Sequence, residues 1–224
     1  MDIQAFTDSL LKSAEELAKK GQTLAEQKLQ IPESGPEREK LLESLGQGAA
    51  VGGVLAALLG TRIGRKLTGT SLKLGSLAAL GTVAYQAYQN WQGKSGSPGT
   101  PVNELTGPAA ATRSLALLKA TIAAAKADGH IDDVERSRIE TQLGKLSLDQ
   151  DGMEFLKDEL AKPLSAKEVA ASADSPAAAA EIYLISLAVI DKKNEQEHAY
   201  LQSLASELKL SEDLVKSLES SVSA

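Results

Sequence analysis

The chain contains no cysteine. That excludes disulfide staples, thiolate zinc sites and cysteine nucleophiles. Only two histidines occur, His130 and His198, so a serine–histidine triad or a histidine-rich metal centre would have to draw on one of them. Aromatic residues make up 3% of the 224 residues, and alanine and leucine abound, a bias toward helix and away from sheet. No basic stretch followed by an apolar run opens the chain, so no secretory signal peptide is apparent. Basic clusters are also scarce. Net charge is −6, and residues 113–224 carry 13 basic against 20 acidic side chains. Phosphate contact needs grouped Lys and Arg, so the composition argues against nucleic acid as a partner.

What is present divides into four stretches. Residues 1–44 read as an N-terminal amphipathic helical region. Ile3, Phe6, Leu10, Ala14, Leu17 and Leu24 recur at helical steps with Lys and Glu between them. Pro32 stops that pattern, and Ser34-Gly35-Pro36 restarts a short charged helix. The polar face is not dominated by Lys and Arg, which favours a solvated stalk that pairs with another helix over an interfacial membrane helix.

Residues 45–92 are Gly-rich and apolar. LGQGAAVGGVLAALLGT, residues 45–61, holds no charge, and Arg62, Arg65, Lys66 and Lys73 follow it. A second uncharged run, LGSLAALGTVAYQAYQNW, covers 74–91. Both runs sit near the lower length limit for a membrane span, about 17 residues. Gly48/Gly52, Ala49/Gly53/Ala57 and Gly60/Gly64 place small residues four apart, a spacing that lets two helices approach closely in lipid or pair two copies of the chain. Tyr85, Tyr88 and Trp91 fall three apart on one helical face and suit a membrane–water interface. Residues 45–91 are therefore expected to contact membrane lipid. The basic cluster is expected on the cytoplasmic side, with a single span or a non-crossing hairpin, and the C-terminal domain also in the cytoplasm.

Residues 93–111 read as a flexible linker, since Gly, Pro and Ser dominate and no apolar period exists. Residues 112–224 then read as an all-α bundle of about seven helices. An Ala/Leu helix over 112–127 ends near Asp128-Gly129. Asp132 with Glu135 three later opens the next, with Ile139, Leu143 and Leu146 as its apolar face. A helix over about 149–161 follows. Ser165 with Glu168 caps a short helix to about 172. Ser175-Pro176 opens one that runs to Ile190, Asn194 opens another with Glu197 three later, and Ser211 opens the last.

This region contains an internal two-fold repeat. TIAAAKADGHIDDVERSRIETQLGKLSL aligns on LISLAVIDKKNEQEHAYLQSLASELKL with one gap. Asp128 meets Asp191, Glu135 meets Glu197, Ile139 meets Leu201, and Leu146 meets Leu208. Each copy is a helix, an acidic corner and a capped helix, and the two corners could lie side by side around a pseudo-two-fold axis.

The first corner, ADGHIDDVE, invites a metal reading. It fails as an EF-hand, which needs glycine at position 6 and Glu at 12. Counted from Asp128, those positions hold Asp133 and Ile139. It also has no nucleophile beside its acids and His130, so an enzyme is not expected. A helix-to-helix joint explains more of it. Gly129 takes a left-handed cap, Ile131 folds back, and Asp132 and Glu135 cap the following helix.

The ADGHID..E corner, the second D.....E corner and their spacing resemble the TerB-like domain of bacterial tellurite-resistance proteins. The Gly-rich segment ahead of it is similar to that of an uncharacterised YebE-like inner-membrane family. The resemblance covers about residues 45–222. It implies a compact bundle of about seven helices, a membrane or envelope-stress context, and no established enzyme activity. It further implies divalent metal, such as calcium, bound through acids at the corners, here Asp128 and Glu135 in one copy and Asp191 and Glu197 in the other. The second corner lacks the glycine and has Lys192-Lys193 instead. Two functions follow as expectations. One is a membrane-tethered, non-enzymatic interaction and stress-response module with an unidentified protein partner; the other is a divalent-metal sensor.

Overall fold

A computed structural model describes residues 77–92, 97–129, 137, 150–190 and 194–223. Among them the fold is all-α, as expected: seven α-helices, one 3-10 turn and no strand. In chain order these are α1 (Leu77–Gln92), the 3-10 turn Val102–Glu104, α2 (Gly107–Ala125), α3 (Gln150–Ala161), α4 (Ala166–Ala170), α5 (Pro176–Val189), α6 (Glu195–Glu207) and α7 (Glu212–Ser223). The amphipathic stretch 3–30, the uncharged run 45–61 and the helix expected from Asp132 lie outside the described residues.

α5 is the axis of the bundle. Its sequence PAAAAEIYLISLAV is apolar all round, and every residue after Pro176 is buried. A helix without a polar face must be covered on all sides. α2 packs along it most extensively, α1 lies on another side, and α6 and α7 close the rest. The alanines at 177–180 leave room for neighbouring backbones, while Ile182, Tyr183, Leu184 and Leu187 fill the layers between helices. Each fully buried Leu or Ile contributes about 1.5–3 kcal/mol relative to exposure. α3 packs on α2, and α4 bridges α2 and α6.

The caps act as the sequence indicates. Ser175 Oγ accepts from Ala178 N–H at 3.2 Å, with Pro176 at the first helical position. Ser165 Oγ accepts from Glu168 N–H at 3.2 Å and Ser211 Oγ from Leu214 N–H at 3.3 Å. Asn194 Oδ1 accepts from both Gln196 and Glu197 N–H. Each cap supplies an acceptor to a first-turn donor that the helix itself leaves unpaired.

Two expectations change. The first concerns the second uncharged run. Its described part, α1, is an element of the bundle, packed on α5 and α7. Leu80, Ala84, Ala87 and Tyr88 form its buried stripe. Tyr88 is therefore core, and only Tyr85 and Trp91 reach solvent. α5 and α7 cover the apolar stripe of α1, while the polar Thr82, Gln86 and Asn90 face out beside Tyr85 and Trp91. No helix among the described residues is long and apolar enough to cross a membrane.

The second change concerns the linker. Residues 97–106 are a strap laid on the bundle, and α2 begins at Gly107, five residues ahead of the expected start. Pro98, Pro101 and Val102 are buried. Pro98 O accepts from Ala177 N–H at 2.7 Å, which satisfies another orphan donor of α5. Gly81 of α1 faces the strap so closely that an added Cβ would meet Asn103 Oδ1 at 2.4 Å. A strap held by a few backbone bonds and one close approach needs no apolar period, so composition alone cannot separate it from a linker.

Candidate functional site

Three places in the bundle concentrate chemistry: a buried ionic cluster, a groove, and the first acidic corner.

The ionic cluster sits where the strap crosses α2 and α5. Glu181 is 0% exposed and Arg113 is 3% exposed. A bare carboxylate there would face a severe desolvation penalty. Glu181 Oε2 accepts from Arg113 Nη1 at 2.6 Å, and Oε1 accepts from the Val102 N–H at 2.7 Å. Arg113 Nη2 continues outward to Asp174 Oδ1 at 2.5 Å and Ser175 Oγ at 3.0 Å. Asp174 is 51% exposed, so the chain of bonds runs from the core to the surface. Burial pushes the Glu181 carboxyl above its usual range, while the Val102 N–H and the Arg113 guanidinium pull it back. Among the described residues, Arg113 Nε and Asn103 Oδ1 find no hydrogen-bond partner, though both are buried. The cluster joins strap, α2 and α5. Its Ser175 hydroxyl is shared between Arg113, Asp174 and the α5 cap.

The groove runs between the end of α1, α4, the start of α5 and the α6–α7 turn, with a volume of about 640 Å³. Tyr88 and Trp91 form one wall, their rings edge to face at 5.5 Å. Ala170, Ala173 and Ala179 line it together with Leu210. Lys167, Asp174, Glu207 and Lys209 bring two charges of each sign to it. Lys209 holds a left-handed φ of 56° at the end of α6, where the Leu210 N–H bonds back to Ala205 O at 3.0 Å. Ser175 and Ser211 also line the groove, and both hydroxyls act as helix caps. A lining of this size and character can receive an apolar side chain, a helix face or a small molecule.

The described start of the first corner closes α2. α2 ends at Ala125, and one further turn over Lys126–Asp128 leads to Gly129, whose N–H bonds Lys126 O at 3.0 Å. Gly129 takes φ +77°, the left-handed conformation that glycine adopts without a Cβ clash. Lys126 Nζ donates to Glu159 O at 3.1 Å and to Lys162 O, carbonyls at the end of α3. A cation there also complements the negative end of that helix.

Of the four candidate metal ligands, the structure describes two. Asp128 is half-buried beside Gly129. Glu197 is 1% exposed, in the first turn of α6. Glu135 and Asp191 lie outside the described residues, as does His130. His198 is described and exposed. The corners of the two copies are brought close: a Cβ on Gly129 would lie 3.3 Å from Gln196 Oε1, one residue from Glu197. Among the described residues, no group of three or more His, Cys, Asp and Glu is placed to hold a metal ion.

The ionic cluster was not anticipated from sequence. Its partners are 68 and 79 residues apart, beyond any local motif. One signal was available. Glu181 is the only charge in PAAAAEIYLISLAV, and an acid inside a wholly apolar helix requires a buried partner.

Comparison with known proteins places the chain. The family model described as "Protein of unknown function (DUF533)" matches residues 44–222. The chain belongs to the DUF533 family. Over 106 residues it is 31% identical to a Yersinia enterocolitica protein described as "Uncharacterized protein in ampR 5'region", a stretch spanning 47% of this chain and 76% of that protein. No solved structure matches. The DUF533 match takes in the Gly-rich segment, α1, the strap and the bundle without a break.

Proposed function

We propose that this DUF533 protein is a membrane-tethered, non-enzymatic interaction and stress-response module. Its acidic helical bundle is TerB-like, similar to domains of tellurite-resistance-associated proteins, and its Gly-rich segment is YebE-like. The observation that carries the reading is how the bundle spends its polar groups. The buried ionic cluster and the serine caps hold helices together, whereas the feature open to a partner is an aromatic- and alanine-lined groove. The tether is the uncharged run 45–61 with Arg62, Arg65 and Lys66 directly after it. The protein sits at the bacterial inner membrane with the bundle in the cytoplasm. The small-residue spacing of the run provides a face for pairing copies of the chain. The test is fractionation of cells expressing the full chain. The protein should stay in the membrane pellet through an alkaline carbonate wash, and recovery in the soluble fraction would sink the tether. A C-terminal reporter active only in the periplasm would overturn the cytoplasmic placement.

A second reading, a divalent-cation sensor, is favoured by one observation: Gly129 of the first corner lies against Gln196 of the second. Asp128, Glu135, Asp191 and Glu197 would then supply ligands from both copies. Calorimetric titration of calcium into the full chain, beside Asp128→Ala, separates the readings. Heat in the parent that the variant lacks supports the sensor, and no heat in the parent removes it.

A further inference from the structure

We draw no further inference here: the strongest candidate, the groove between the end of α1, α4 and the α6–α7 turn, is an apolar face for which nothing in the structure shows what covers it.

Discussion

Two sets of acids behave in opposite ways. Those of the first corner are conspicuous in the sequence, four of them within ADGHIDDVE. The described member, Asp128, sits half-buried just past the end of α2, beside Gly129 in its left-handed conformation. Glu181 is inconspicuous, one acid among alanines and leucines, yet it is fully buried and ties three elements together. Density of charge along a chain reports what is solvated or local. A lone charge in an apolar setting reports a long-range partner, because its burial is tolerable only with one.

Substitutions can break this contrast, and the largest effect should come from Arg113→Leu. It strands Glu181 and releases Asp174 and Ser175, and loss of one partner of a buried pair costs about 3–5 kcal/mol. Urea unfolding at pH 7 measures it. The pH dependence has a definite sign. The Glu181 carboxyl is raised in the folded state, so its contribution is fully present below its ordinary value of 4.5 and is lost as pH rises through the folded value. Without Arg113 the carboxyl rises further, so the deficit of the variant should shrink on acidification toward pH 4.5. A deficit that is constant with pH would mean that Arg113 acts through packing alone.

A smaller effect is expected at the corner. Gly129→Ala forces a Cβ into a left-handed backbone, at about 1–2 kcal/mol. The new Cβ would lie 3.3 Å from the tip of the Gln196 side chain, which can swing aside, so steric cost should add little. Thermal unfolding checks this. An effect as large as that of Arg113→Leu would make the corner as structural as the core cluster.

The smallest effect should have the opposite sign. Tyr200 is buried, and among the described residues its hydroxyl meets only the Ser186 hydroxyl, without full hydrogen-bond geometry. Burial also pushes that hydroxyl above its usual titration range. Tyr200→Phe removes a poorly satisfied hydroxyl whose one neighbour is Ser186, and should raise stability by up to about 1 kcal/mol. A loss instead would reveal that the hydroxyl is satisfied in solution.

Helix starts were legible because their signals are local. Ser165, Ser175, Asn194 and Ser211 each cap the helix that the sequence assigns them. α3 likewise ends at Ala161, where the sequence puts it. What failed depends on distant partners. The Gly-, Pro- and Ser-rich segment after α1 looks like a linker until Ala177, Glu181 and Gly81 are seen to hold it. The second uncharged run looks like a lipid-facing helix because lipid and a buried bundle face ask for the same side chains. Only its neighbours, α5 and α7, decide between them. Of the candidate site, the closeness of Gly129 to the start of α6 is compatible with the internal repeat, whereas the ionic cluster needed the fold.

The most direct test sets the two acidic regions side by side. Urea unfolding of Arg113→Leu and Asp128→Ala is measured at pH 7 on the full chain, without added metal. The account predicts a loss of about 3–5 kcal/mol for the first and under about 1 kcal/mol for the second. A larger loss for Asp128→Ala than for Arg113→Leu would contradict it, and would shift the weight of the structure to the corner.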